Sequence, residues 1–204
     1  MPADRDVTAG RASNVRQAPD GHGVKTAAWP WPVPVDDGAA QHLSVGAPVA
    51  DVMLMATDGT EVCLARHPRP AIVFVYPYMG RPGRPDPPGW DDIAGAHGST
   101  PQALGFAQRA NDFEGLGFDV FGLSSQTLEA QMEAADRLAL SFCLLNDSSL
   151  AFAGSMKLPT FNAGGSAFLS RLTVVISDGL LRDVIYPVHP PDRHAADLLK
   201  RLST

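Results

Sequence analysis

Residues 71–76, Ala-Ile-Val-Phe-Val-Tyr, form a short run with no polar position until its end. A run of that length, rich in β-branched residues, predicts a strand buried on both faces. Residues 118–123 predict a second such strand, and residues 141–145 a short third one. Two hairpins bracket them. Residues 52–55 and 61–64 flank Asp58-Gly59, and residues 172–176 and 181–186 flank Asp178-Gly179. An Asp-Gly pair between apolar runs favours a tight turn whose central residues both take positive φ. Helical periodicity appears three times. Thr100 and Pro101 read as a cap and a first helical position, opening a helix that runs to about Glu114 and closes at Gly115 and Gly117. Residues 128–138 are rich in Ala, Glu and Met. Residues 192–202 are amphipathic, with Asp192 as the expected cap. The order is hairpin, βαβα, short strand, hairpin, helix, with no internal repeat. That order predicts an α/β fold.

Gly and Pro interrupt this pattern in two places. Residues 78–98 hold Gly80, Pro82, Gly83, Pro85, Pro87, Pro88, Gly89, Gly95 and Gly98. No helix or central strand survives that density, and a long loop within a domain is commonly functional. The other place is the start of the chain. Residues 1–43 are polar and broken, and residues 1–28 read as disordered or loosely attached. They lead into Trp29-Pro30-Trp31-Pro32-Val33-Pro34, where alternating prolines favour an extended polyproline conformation. This stretch is expected to fold over its own domain or to meet a partner. The domain proper is then 44–204.

The 204 residues carry 16 basic and 22 acidic side chains, a net charge of −6. An acidic balance argues against a nucleic-acid partner or an anionic membrane surface. No apolar stretch reaches the roughly 18 residues of a membrane-spanning helix. The chain does not open on a charged-then-apolar secretion signal, so a cytoplasmic location is expected. Cys63 and Cys143 are the two cysteines. They cannot build a disulfide framework or a cysteine zinc site, and each reads as a structural thiol. No His-x-x-x-His pair, phosphate loop or Gly-x-Ser-x-Gly elbow is present, so neither a metal nor a cofactor is expected.

Position supplies the candidate site. Ligands of a parallel βαβ unit gather beyond the carboxyl ends of its strands, where the next helix offers unpaired N–H groups. Strand 71–76 leads through the loop to Ser99-Thr100-Pro101, which places Ser99 at that helix start. Tyr76, Tyr78, His97, Thr100 and Gln102 flank it. Trp90 lies in the loop, and Arg171, just before strand 172–176, can reach the same end. His97 is the candidate base or proton donor, because its ordinary pKa suits acid–base work near neutrality. Arg171 is the candidate anion donor. Tyr76, Tyr78, Gln102 and Trp90 are the candidate substrate-binding residues.

The residues in and around the loop carry a resemblance. They read Tyr76-Pro77-Tyr78-Met79-Gly80-Arg81-Pro82-Gly83, then Gly89-Trp90-Asp91-Asp92-Ile93-Ala94-Gly95-Ala96-His97-Gly98-Ser99-Thr100-Pro101-Gln102-Ala103-Leu104. Val120-Phe121-Gly122-Leu123-Ser124-Ser125-Gln126 and Tyr186-Pro187-Val188-His189-Pro190-Pro191-Asp192-Arg193 continue it. From Val45 to Leu202 the chain resembles the peroxiredoxins of the alkyl hydroperoxide reductase/thiol-specific antioxidant type. The resemblance implies a thioredoxin-like central mixed sheet flanked by helices, a small-molecule substrate and a homodimer. It also implies that the family's peroxidatic cysteine falls on Ser99. The second cysteine of Cys-Thr-Pro-Gln-x-Cys falls on Leu104, and the threonine after Tyr-Pro on Met79.

Peroxiredoxin chemistry is attack of a thiolate on a peroxide oxygen to give a sulfenic acid. A helix N-terminus lowers a thiol pKa into the working range. A serine hydroxyl has no accessible anion there without a neighbouring base. The first expectation is therefore a peroxiredoxin-like protein diverted to non-redox small-molecule chemistry, for example in bacterial specialised metabolism, with Ser99, His97, Thr100 and Arg171 as its catalytic set. One alternative is a thiol peroxidase seen as a Cys-to-Ser variant. The other is a non-catalytic binding or scaffold subunit, with Trp29 and Trp31 as its contact feature.

Overall fold

The computed structural model describes residues Trp29–Thr204, and the compact unit holding every element runs from Trp31 to Thr204. The expectation for residues 1–28 lies outside the described residues. Among the described residues nine strands form: β1 Met53–Ala56, β2 Glu61–Cys63, β3 Ala71–Val75, β4 Asp119–Ser124, β5 Leu144–Asn146, β6 Thr160–Ala163, β7 Ser166–Leu169, β8 Leu172–Ser177 and β9 Leu180–Ile185. Five helices accompany them: α1 Ser99–Ala107, α2 Ala110–Gly115, α3 Leu128–Arg137, α4 Ala151–Met156 and α5 His194–Leu202.

Seven strands make one mixed sheet in the order β2-β1-β5-β4-β3-β8-β9, and β6 and β7 form a separate hairpin. The pairs β3–β4 and β4–β5 are parallel; the others are antiparallel. All five residues of β3 are buried, as suits an inner strand between a parallel neighbour, β4, and an antiparallel one, β8. Its pleat feeds two cores. Ala71, Val73 and Val75 face one with Phe152 and Met156 of α4. Ile72, Phe74 and Tyr76 face the other with Phe106, Phe113, Ala134 and Leu198 from α1, α2, α3 and α5. The Phe74 and Phe106 rings stack with centroids 4.5 Å apart, which ties β3 to the helix that follows it. This is the thioredoxin-like mixed sheet expected from the chain. No helix among the described residues is long and apolar enough to cross a membrane.

Several local expectations need correction. The helix after the loop starts two residues early, at Ser99 rather than Pro101. Gly98 caps α1 at φ 107°, a left-handed conformation natural to glycine, and no side chain caps it. Thr100 is therefore within the first turn. The helix also breaks after Ala107, and α2 restarts at Ala110. Asp192 does not cap the last helix; its cap position is Arg193, without a side-chain hydrogen bond. The third strand is shifted to Leu144–Asn146. The α4 helix and the β6–β7 hairpin carry no strong sequence signal: α4 is six residues long and each strand four. The turn of the β8–β9 hairpin matches expectation, with Asp178 at φ 55° and Gly179 at φ 71°.

Gly122 of β4 sits in register between Phe74 of β3 and Leu144 of β5. A Cβ there would lie 2.6 Å from Leu144 Cδ2 and 2.8 Å from Phe74 Cζ. Gly122→Ala is therefore expected to lower stability by about 1–3 kcal/mol through overpacking. Urea unfolding of both proteins checks this; an unchanged midpoint would show that the sheet centre has slack.

Candidate functional site

Strand β3 ends at Val75, and the next α-helix, α1, begins only at Ser99. The intervening loop is held at several points. Gln126 pins Met79 on both sides: Met79 N donates to Gln126 Oε1 at 2.8 Å, and Gln126 Nε2 donates to Met79 O at 3.3 Å. Arg137 Nη2 donates to Gly80 O, and Arg81 pairs with Glu133. Trp90 is buried in an aromatic cluster with Tyr78, Phe161 and Phe168, with centroid distances of 5.5, 5.6 and 4.9 Å. The β6–β7 hairpin supplies both phenylalanines.

Arg171 organises the end of the loop. It lies between β7 and β8 and is 3 % exposed. Its Nη2 reaches the carbonyls of Gly95, Ala96 and His97 at 3.4, 3.3 and 3.0 Å, and donates to Ser99 Oγ at 3.2 Å. Its Nη1 donates to Gln102 Oε1. No carboxylate pairs with Arg171 among the described residues. Burial pulls the guanidinium down to about 9, so it still carries its charge at neutral pH. Among the described residues two buried donors lack partners, Arg171 Nε and Gln102 Nε2. Both belong to the group around Ser99, which is itself 2 % exposed. The α1 dipole adds partial positive charge at the same point. The turn is thus electropositive, buried and short of acceptors.

The sequence candidates separate accordingly. Ser99, Gln102 and Arg171 are brought together by direct bonds, and Thr100 is adjacent in the first turn. His97 contributes its carbonyl rather than its ring. The imidazole turns outward: Nε2 lies 2.8 Å from Asp91 Oδ1, and the ring stacks on Trp31 with centroids 4.1 Å apart. Tyr76 is fully buried in the second core, and its hydroxyl accepts from Gln131 Nε2 at 3.1 Å. Tyr78 lines a cavity of about 510 Å³ with Arg81, Arg84, Gln126 and Glu133. Trp90 packs between the hairpin and His97, with its ring centroid 6.4 Å from that imidazole. Asp91 pairs with His97 and Arg81 with Glu133, so the loop carboxylates are not ordered by the loop arginines.

Among the described residues, Asp86, Asp91 and His97 bring ligand atoms within 4.8 Å of one another. Both carboxylates are exposed, and the His97 nitrogen nearest them already serves the hydrogen bond to Asp91. Neither cysteine is bonded into the group around Ser99. Cys63 Sγ lies 3.3 Å from Asp51 Oδ1 in the first hairpin. Burial, with Asp58 beside it, pushes the Cys143 thiol up to about 11.

Behind Arg171 lies a pair that sequence reasoning missed. Thr173 Oγ1 and His194 Nε2 are 2.9 Å apart, and both residues are buried. Burial, reinforced by the Arg171 charge, pulls His194 down to about 4. It is therefore neutral at pH 7. The only sequence signal was a histidine facing inward from the first turn of an amphipathic helix.

Residues 44–200 match the Redoxin family. The chain belongs to that family. Among solved structures it is similar to a peroxidoxin, BcpB, from Mycobacterium tuberculosis, with 25 % identity and a TM-score of 0.64. That match covers 79 % of this chain and 97 % of that one. It is also similar to a Cys-to-Ser mutant of peroxiredoxin Q from Xylella fastidiosa, with 18 % identity and a TM-score of 0.64, covering 79 % and 96 % of the two chains. A bacterioferritin comigratory protein from Xanthomonas campestris, at 21 % identity and a TM-score of 0.62, covers 79 % and 96 %. No curated protein matches. The Redoxin chain described here is a peroxiredoxin-like protein with a thioredoxin fold, in agreement with the sequence reading.

The His194 environment has a pH signature. Its folded pKa, about 4, lies below the ordinary 6.5. As pH falls from 6.5 toward 4, the unfolded chain binds a proton at this ring and the folded chain does not. The contribution is complete above pH 6.5 and is lost below it, amounting to roughly 3 kcal/mol by pH 4. Denaturant titrations of the parent and His194→Gln across pH 4–7 are expected to converge as pH falls. Parallel curves would contradict this assignment.

Proposed function

We propose that this Redoxin chain carries a hydroperoxide-type site of a thiol peroxidase in which Ser99 fills the reactive position. One observation carries the reading: the buried Arg171 Nη2 donates to Ser99 Oγ at the N-terminus of α1. A positive helix end and a buried, unpaired cation on one oxygen suit a group that bears negative charge. A thiolate meets that description and a neutral hydroxyl does not. The orphaned donors of Arg171 and Gln102 support an oxygen-rich small molecule as the partner of the site.

In such a site a sulfur at residue 99 attacks one peroxide oxygen. The O–O bond breaks, the sulfur becomes a sulfenic acid, and the departing alkoxide or hydroxide takes up a proton. Arg171 stabilises the charge that develops on the oxygens. Ser99 leaves the binding groups in place and removes the group that is oxidised. Leu104 supplies no second thiol, so a sulfenic acid at residue 99 would be reduced by an external thiol.

The diverted, non-redox reading asks more of the geometry. Ser99 as a nucleophile or acid–base group needs a base on its Oγ. Its bonded neighbour is Arg171, which only donates, and the His97 imidazole is committed to Asp91. The arrangement favours the peroxidase reading over the diverted one.

With hydroperoxide and dithiothreitol, the parent is expected to show no consumption above buffer. Ser99→Cys is expected to consume hydroperoxide at least about 100-fold faster, and adding Arg171→Gln to that variant to remove about 100-fold, the scale of one lost oxyanion donor. Turnover by the parent at the rate of the cysteine variant would overturn the reading. So would a folded Ser99→Cys protein as inert as the parent.

A further inference from the structure

Residues 31–43 precede the family match, which begins at residue 44. One end of this stretch is anchored. Ala40 and Leu43 are buried in the first core, and His42 Nε2 lies 3.1 Å from Met156 O. Asp36 and Asp37 accept from Gly38 N and Ala39 N to close a turn. Asp37 Oδ1 also accepts from the Tyr186 hydroxyl at 2.9 Å. From this anchor, residues 31–35 lead back across the Gly95–His97 segment. The Trp31 indole stacks on His97 at an interplanar angle of 17°. Gly95 N donates to Pro32 O at 3.4 Å. The Pro34 ring covers Gly95 so closely that a Cβ on that glycine would be 3.3 Å from it.

The covered segment is the one whose three carbonyls Arg171 holds from inside. It is thus pressed between a buried cation and an outer strap, and Ser99 follows two residues after His97. The two faces are held very differently. The inner one is a buried charge with several donors. The outer one carries a ring stack, a long hydrogen bond and a proline contact. Pro32 and Pro34 have no N–H to donate, and Val33 and Val35 are 52 % and 77 % exposed. A segment this exposed belongs to the part of a fold that opens locally.

We infer that residues 31–35 are a gate: the strap closes the Ser99 turn by stacking Trp31 on His97, and its release opens that turn to small molecules. The inference rests on the proposed function in taking residue 99 as the reactive position. The strap swings from the Asp37–Tyr186 contact, leaving the core anchors at Ala40 and Leu43 in place.

The full-length Ser99→Cys protein supplies the probe. Alkylation by iodoacetamide at residue 99, read by peptide mass so that Cys63 and Cys143 do not interfere, is expected to be about tenfold faster with Trp31→Ala added. With Tyr186→Phe added instead, the expected rise is about threefold. Amide exchange on the serine protein gives a second measurement that needs no thiol: Gly95 is expected to exchange about tenfold faster in Trp31→Ala. Alkylation within twofold of the Ser99→Cys protein in both variants overturns the gate, as does unchanged Gly95 exchange. Neither readout uses hydroperoxide, so a failed gate leaves the peroxidase reading standing, and an inert Ser99→Cys protein leaves the gate standing.

Discussion

The site depends on a buried positive charge that has no negative partner among the described residues. Arg171 has left water without meeting a carboxylate, a placement that costs free energy unless other acceptors replace the lost hydration. Three carbonyls in a row, from Gly95 to His97, supply most of that replacement. The loop end is consequently shaped around the guanidinium. Gly95 at φ 79° and Gly98 at φ 107° let the backbone turn its carbonyls inward and then enter α1. Ser99 and Gln102 complete the shell, and the field there stays positive because nothing anionic closes it.

That charge extends its influence backwards through the fold. His194 sits close enough for the guanidinium to help keep its imidazole neutral, and it meets Thr173 on the strand that follows Arg171. Helix α5 and the residues before it pack on α1, where a Cβ on Gly105 would touch Asp192 O at 3.4 Å and Ala195 Cβ at 3.6 Å. The base of the site is therefore rigid, buried and continuous with the second core. Its outer wall is built from rings: Trp90, Tyr78, Phe161 and Phe168 on one side, His97 and Trp31 on the other. Rings on a loop resist water without bonding the backbone, which leaves the outer wall easier to displace than the floor.

The serine makes physical sense of this contrast. A hydroxyl accepts from Arg171 as a thiolate would, so the turn keeps its shape. It carries no charge, so the cation stays uncompensated, and two buried donors stay unmatched. The turn thus holds a neutral oxygen where its field would suit a negative charge.

Strands and hairpins were legible in the sequence, and the start of α1 to within two residues, because each rests on local rules. The run 71–76 has no polar position to face water, Asp178-Gly179 adopts positive φ readily, and Gly98-Ser99 follows a breaker-rich loop. The placement of Ser99 at a helix end beside Arg171 followed from chain order and the position of ligands in such sheets. The short α4, the β6–β7 hairpin and the break between α1 and α2 were not legible, since packing rather than periodicity holds them. Nor was the fate of individual rings. His97 turning outward to Asp91 and Trp31, Tyr76 sinking into the core, and His194 meeting Thr173 each depend on which residues distant in sequence become neighbours in space. By itself the sequence determined the framework and the atom at residue 99. Only the tertiary structure decided which side chains address that atom, because burial and charge act through space and are blind to chain order.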